Sequence, residues 1–393
     1  MKKICVATAT RAEYGLLKNT IRQIQEDGGL ELCLLVTGTH LVKELGYTVS
    51  EIEEDGFPIA ERIDMGLTSD DPSQIVQSMG RTMMLFGDAF TKEKPDMLVV
   101  LGDRYELLPI CSAALVMGIP IAHISGGEVT EGAIDDCVRH SITKLSNLHF
   151  PGCEEYRQRI IQLGEQPDCV FNYGDVGIEN IKKTPIIPKD ELEKDLGVSL
   201  EKAISMTFHP LTTKPEEVEA QIGEVLEAVS RFPEYTFVIT KANADAGGRK
   251  INQLLEAYVK EHGNCHLFAS LGIRRYINVL RNVKAVIGNS SSGIVEAPVL
   301  RVPTVNIGDR QKGRLMADSI ISCEVESDEI ENAIKWALSK EGQDIASQTK
   351  SPYEAGETSK SIVTEIKKYL NSEACKQPKC FYDLPRGGTK CEI

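Results

Sequence analysis

Residues 97–144 read MLVVLGDRYELLPICSAALVMGIPIAHISGGEVTEGAIDDCVRHSITK. Two strand-like runs, Met97–Leu101 and Ile119–Ile124, flank an apolar stretch that reads as a helix. Each run ends in charge. Asp103, Arg104 and Glu106 follow the first; Glu128, Glu131, Asp135, Asp136, Arg139 and His140 follow the second. Strand, helix, strand is the repeat from which parallel α/β sheets are built. Such sheets take their ligands outside the carboxyl ends of the strands, so this stretch is a site candidate. Carboxylates that reach one place from two strand ends raise each other's pKa, which makes a general acid–base pair possible. A local reading competes. Asp135 and Asp136 stand one helical turn before Arg139 and His140, a spacing that supports a helix by itself. Asp103 can likewise pair with its neighbour Arg104.

The same alternation continues outward. Lys3–Ala9 is a β-rich run, followed by a predicted helix over Ala12–Gln25. The junction TATRAEYG, residues 8–15, puts Arg11 at a helix N-terminus. Free N–H groups, the positive end of the dipole and a guanidinium suit an anion there; a solvated loop arginine is the plainer alternative. Further strands are predicted over Leu32–Val36, Ile59–Ile63 and at His149-Phe150, with helices over His40–Asp55, Ser73–Lys92 and Arg139–Leu145. This is the pattern of a doubly wound parallel sheet. No G-x-G-x-x-G follows the first strand, so dinucleotide binding has no support at that turn.

Residues 182–194, KKTPIIPKDELEK, carry two prolines and mixed charge and read as a linker. A second α/β series follows. Its strands are expected over Ala203–Phe208, Thr236–Thr240, Cys265–Phe268, Ala285–Ile287, Thr304–Ile307 and Ser319–Cys323. Its helices are expected over Glu216–Arg231, Arg249–Glu261, Arg274–Leu280 and Gly293–Val299, with a last helix over Ser359–Leu370. The expected fold is therefore α/β: two Rossmann-like domains, residues 1–181 and 182–371, with a cleft between them and a tail over 372–393. Three features of the second half carry chemistry. His209-Pro210 sits at a strand's carboxyl edge. GNSSSGIVE, residues 288–296, leaves a strand and opens a helix, and its backbone and hydroxyls suit a phosphate or diphosphate. Glu296 could hydrogen-bond a ribose; N-capping by the serines and a favourable first-turn charge are the plainer readings. Arg310 and Arg314 lie in the loop IGDRQKGRLM, able to neutralise an anion or to stay solvated.

At 393 residues the chain is long for a single core. A formal charge of −14 argues against nonspecific nucleic-acid or anionic-membrane binding. Eleven cysteines are scattered without C-x-x-C or zinc spacing, which reads as reduced thiols in a cytoplasmic protein. No signal peptide or membrane span is expected.

Together the segments TATRAEYG, VTGTHL, LGDRYE, HISGGEVTEGAIDD, RHSITKL, FHP, GNSSSGIVE and NIGDRQKGR closely resemble the hydrolysing UDP-N-acetylglucosamine 2-epimerases of sialic-acid and legionaminic-acid pathways. The likeness runs from about Lys2 to Ser319, and CFYDLP in the tail also resembles bacterial members. It implies a glycosyltransferase-B-like fold, with UDP mainly on the C-terminal domain and the sugar toward the N-terminal one. It implies conversion of UDP-N-acetylglucosamine and water to N-acetylmannosamine and UDP through 2-acetamidoglucal, with no nicotinamide or metal required and a dimeric or tetrameric assembly. By the same resemblance Asp103, Glu128 and Asp135 match acidic catalytic positions. Arg11, Arg104, His209, Asn243, Ser290, Ser291, Glu296 and Arg310 match nucleotide-contacting ones, and Arg139 is grouped with them.

One position departs. Many sialic-acid-type relatives read H-I-E-G-G-E where this chain has Ser125. A serine cannot be a carboxylate base, so Glu128 or Glu131 takes that role or the sugar is held differently. The alternative substrate is a UDP-2,4-diacetamido-trideoxy sugar. A retaining UDP-sugar glycosyltransferase and a non-catalytic binding module are the other readings; the acidic cluster disfavours the latter, because carboxylates near a diphosphate weaken pure binding.

Overall fold

The computed structural model describes residues 1–43, 47–68, 71–130, 134–210, 217–242, 247–354 and 356–384. The chain divides into two compact units. Unit 1 comprises Met1–Val129, Ala133–Asn180 and Ala355–Ile393; unit 2 comprises Ile181–Glu354 with Thr130–Gly132.

Unit 1 holds a six-stranded sheet of β1 (Lys2–Thr8), β2 (Leu30–Val36), β3 (Ile59–Arg62), β4 (Met97–Leu101), β5 (Ile121–Ile124) and β6 (Leu148–Phe150), in the order β3-β2-β1-β4-β5-β6. Every pairing in it is parallel. Parallel strands are covered on both faces and so read as unbroken apolar runs, which is how KICVAT reads in β1. Successive side chains alternate between the faces. Ile4 and Val6 join a core with Leu17, Ile21 and Ile24 of the helix Arg11–Glu26. Cys5 and Ala7 join the opposite core with Phe86 and Phe90 of the helix Pro72–Glu93 and Ile110 of the helix Leu107–Val116.

Unit 2 repeats the plan with β7 (Ala203–Thr207), β8 (Thr236–Thr240), β9 (Cys265–Phe268), β10 (Ala285–Gly288), β11 (Thr304–Ile307) and β12 (Ile320–Cys323), ordered β12-β11-β10-β7-β8-β9. Its pairings are also all parallel. In both sheets the winding reverses next to the first strand, between β1 and β4 and between β7 and β10. These are topological switch points, where such folds open a crevice at the carboxyl ends.

Several expectations need correction. The helix expected over His40–Asp55 is a short 3₁₀ turn, Gly38–Leu41, and a separate helix, Val49–Glu54. Tyr47 has φ +46°, which no right-handed helix can pass through. The expected linker over 182–194 mostly belongs to helices: Val176–Lys183 ends in it, and Lys189–Leu196 begins after Pro188 with Asp190 and Glu191 in its first turn. Proline just before a helix and acid in its first turn are start signals rather than linker signals. The last helix, Thr358–Asn371, was expected in the second domain but packs on unit 1. Ile362, Val363 and Ile366 join the core of Leu17 and Ile21, and Lys367 pairs with Asp27 at 2.8 Å. The tail follows it. Lys379 Nζ donates to the Lys144 carbonyl at 2.7 Å and pairs with Glu165 at 2.8 Å, and Tyr382 packs beside Ile160, Ile161 and Val170.

Candidate active site

Arg139 is the hub of the cluster that the sequence pointed to. It sits in the helix Ile134–Leu145 and is 1% exposed. A guanidinium is fully charged at any working pH, so burying it is costly unless its donors are taken up. Here one nitrogen donates to Asp103 Oδ2, at the end of β4. Another donates to the Glu128 carbonyl at 3.0 Å and to Asp136 Oδ1 at 3.4 Å. His140 Nε2 lies 3.5 Å from Asp136 Oδ2. The one-turn support network is thus present, through Asp136. The contact from Asp103 goes beyond it and ties two strand ends together. Arg139, grouped with the nucleotide-contacting positions, has its guanidinium engaged with protein acceptors beneath the cluster. Burial lowers the Arg104 pKa, and the charges of Glu106, Asp135 and Glu13 outweigh it. Glu131 lies outside the described residues. Ser125 follows β5 with φ +62°, a backbone conformation that side chains other than glycine rarely adopt. Such positions gather at functional sites.

A second group, Glu13 with Glu106 and Arg104, lies at the β1/β4 switch point, and of these Glu13 was not singled out from sequence. Glu13 completes a capping box with Thr10: its Oε2 accepts from the Ala9 and Thr10 N–H groups at 2.9 and 3.3 Å. The motif T-x-x-E was the available signal. Its other oxygen, and both oxygens of the fully buried Glu106, have no hydrogen-bond partner among the described residues. Arg104 Nε stands 3.5 Å from Glu106 Oε2. Burial pushes the Glu13 carboxyl up to about 8, the Glu106 charge adds to that rise, and Arg104 and the two N–H groups oppose it. Burial raises Glu106 as well. A raised carboxyl pKa means that the folded state holds a proton that the unfolded chain has released. Stability from Glu13 therefore falls as pH rises from the ordinary glutamate value of 4.5 to about 8, and is level above. We expect Glu13→Gln, which keeps the capping box, to flatten that part of the stability profile; urea midpoints at intervals between the two values check it. An unchanged slope counts against a protonated Glu13.

Arg11 is solvent-facing and paired with Glu51 at 2.8 Å, so the guanidinium expected to meet an anion already has a carboxylate partner.

In unit 2 the β7/β10 switch point brings His209 and the serine turn together. Gly288 ends β10 with φ +126°, and a Cβ there would lie 1.9 Å from the Thr207 carbonyl, so only glycine fits. Next to it Asn289, fully buried, grips both backbone groups of His209. It accepts from the His209 N–H at 2.7 Å and donates to the His209 carbonyl at 2.8 Å. Arg310 and Gln311 donate to the Asn289 carbonyl at 3.2 and 2.9 Å. Ser290 caps the helix Ser291–Val299, its Oγ accepting from the Ser292 N–H at 3.4 Å. Ser291 opens that helix. Tyr276 donates to Ser292 Oγ at 2.7 Å. Glu296 lies one turn on; burial raises its carboxyl pKa, with Ser292 and Arg314 pulling the other way. Asn243 falls outside the described residues. Asn289 was missed because an asparagine between glycine and serine reads as an ordinary turn residue.

The family model for UDP-N-acetylglucosamine 2-epimerase matches residues 22–367. The chain belongs to that family, among its hydrolysing members. It is 43% identical over 342 residues to the GDP/UDP-N,N'-diacetylbacillosamine 2-epimerase (hydrolyzing) of Campylobacter jejuni, covering 86% of this chain and 88% of that one. It is 38% identical to polysialic acid biosynthesis protein P7 of Escherichia coli, covering 98% of each. Among solved structures, the UDP-GlcNAc 2-epimerase of Neisseria meningitidis bound to UDP-GlcNAc superposes with a TM-score of 0.78 at 21% identity, over 94% of this chain and all of that one. That likeness establishes the fold, two Rossmann-like units of the glycosyltransferase-B-like class. No helix among the described residues of this family member is long and apolar enough to cross a membrane.

Proposed function

We propose that the chain is a hydrolysing 2-epimerase of a UDP-2,4-diacetamido-2,4,6-trideoxy sugar, the UDP-N,N'-diacetylbacillosamine class. The observation that carries this is its 43% identity, over most of both chains, to the GDP/UDP-N,N'-diacetylbacillosamine 2-epimerase (hydrolyzing). The serine at position 125, where sialic-acid-type relatives bring a carboxylate, supports a differently held sugar. UDP-N-acetylglucosamine is the second reading, favoured by the likeness to the polysialic acid biosynthesis protein along 98% of the chain.

The cluster can supply the chemistry. A carboxylate takes the proton from C2, the electron pair forms the C1–C2 double bond, and the C1–O bond breaks with its pair going to UDP. Water then adds its hydroxyl to C1, and a carboxyl group delivers a proton to the opposite face of C2. The sum is UDP-sugar plus water giving the 2-epimer plus UDP. We assign the proton transfers to Asp103 and Glu128, with Asp135 and Glu131 as further candidates, and Arg104 to the substrate's charge. In unit 2 the free N–H groups at Ser290 and Ser291 suit the diphosphate, with Arg310 adding charge, and Glu296 suits the ribose. His209, Asn243 and Arg11 remain assigned to the nucleotide by resemblance. Neither cofactor nor metal enters the scheme. We assign the protein to the cytoplasm, as a homo-oligomer.

Incubation with each UDP-sugar in D2O, without acceptor, tests this. The expected result is faster UDP release from the diacetamido sugar, with deuterium at C2 of the released product. Faster release from UDP-N-acetylglucosamine selects the second reading. Release that needs an added acceptor sinks both in favour of a glycosyltransferase.

A further inference from the structure

One buried side chain of unit 1 touches each of the elements that carry Asp103 and Arg139. His123, on β5, is fully buried. Its Nε2 lies 2.8 Å from the Gly102 carbonyl. A carbonyl only accepts, so Nε2 carries the proton and Nδ1 is left as an acceptor. Thr143 Oγ1 fills it at 3.2 Å. Burial pushes the imidazole down to about 3, so the ring is neutral and this tautomer is set.

Both partners matter for their position. Gly102 is the residue between β4 and Asp103, with φ +87°. Its N–H donates to the Ile124 carbonyl at 3.0 Å, so both of its polar groups end on β5. Thr143 stands one helical turn after Arg139, and both are buried. Gly126 leaves room for the pair: a Cβ there would lie 3.0 Å from His123 Nδ1 and 3.0 Å from Thr143 Oγ1. A satisfied core histidine explains the hydrogen bonds. It does not explain why they go to the two points that fix the spacing of the acid and its arginine.

We propose that His123 is a positioning residue: by holding the Gly102 carbonyl and the Thr143 hydroxyl, it sets where Asp103 stands against Arg139. This rests on the reading that Asp103 acts on the sugar. It adds that placement, rather than charge alone, sustains the rate.

The test compares His123→Phe, His123→Gln and Thr143→Val with Asp103→Asn, reading kcat, KM, UDP affinity and folded fraction with whichever UDP-sugar the wild type turns over. Displacement of a catalytic group by about 1 Å costs on the order of 100-fold, so His123→Phe loses roughly that in kcat per folded molecule. Its KM stays within about threefold, because uniform binding is untouched. Glutamine can donate to Gly102 and accept from Thr143, and is expected to recover most of the rate. Thr143→Val falls in the same direction and decides the matter if the phenylalanine variant does not fold. If kcat per folded molecule stays at wild type in His123→Phe or Thr143→Val while Asp103→Asn is inactive, the proposal is overturned. Gln as slow as Phe overturns it too, since the hydrogen bonds would not be what matters. If Asp103→Asn turns over normally, the carboxylate reading has failed on its own readout and this proposal falls with it.

Discussion

Asp103→Asn loses turnover by roughly 10²–10⁴-fold, the span that a positioned acid or base supplies, while UDP affinity stays within a factor of about two. The side chain leaves β4 directly after a glycine whose two polar groups are clasped by β5. Its Oδ2 takes a donor from the buried Arg139. Asparagine keeps the size and one acceptor but cannot take a proton from carbon. Asp103→Glu keeps the charge and moves it by a methylene, so it should fall between asparagine and wild type. Kinetics of UDP release and calorimetric titration with UDP separate the two effects. Near-normal kcat in the asparagine variant would move the proton transfers to Glu128 and then to Glu131. A matching loss of UDP affinity would instead make Asp103 a binding residue.

Arg139→Met is the second large effect, and it falls on stability as well as rate. The substitution leaves Asp103, Asp136 and the Glu128 carbonyl without a shared donor. Removing one partner of a buried ion pair costs about 3–5 kcal/mol. The two carboxylate side chains are each 27% exposed, so solvent relieves part of this and the lower end applies. About 3 kcal/mol corresponds to a fall in melting temperature of about 6–12 °C for a unit of this size. Arg139→Lys keeps the charge but loses the fork, and should keep only part of the stability and little of the rate. Thermal melts paired with kcat check this. A methionine variant that melts like wild type would mean that the cluster does not depend on its buried cation.

The strands of both units were legible because a sheet covered on both faces needs unbroken apolar runs, as in β1 and β4. Strand order was not, since the pairing of β1 with β4 joins residues far apart in sequence and leaves no local trace. The carboxylates after β4 and β5 stood out by charge against an apolar background. Glu13 did not, because a capping box explains it without burial, and the charge pattern that marked Glu106 gave no sign that it would be buried. Asn289 and His123 were hidden for a related reason. Asn289 works through the backbone of His209, and His123 in part through the Gly102 carbonyl; backbone groups are carried by every residue and leave no mark in the sequence. The helix Thr358–Asn371 read correctly as a helix, but periodicity says only that a face is buried, not against what.

That helix has a consequence for the history of each molecule. Its apolar face completes a core begun by residues near Leu17, and Thr20 and Ser359 meet at 3.2 Å across 339 positions of sequence. During synthesis the N-terminal unit usually folds first. Here the first unit cannot finish at once: the face of the helix Arg11–Glu26 that receives Thr358–Asn371 waits through the synthesis of residues 181–354. Part of the unit 1 core therefore closes only after the whole of unit 2 has been made, although unit 1 starts first.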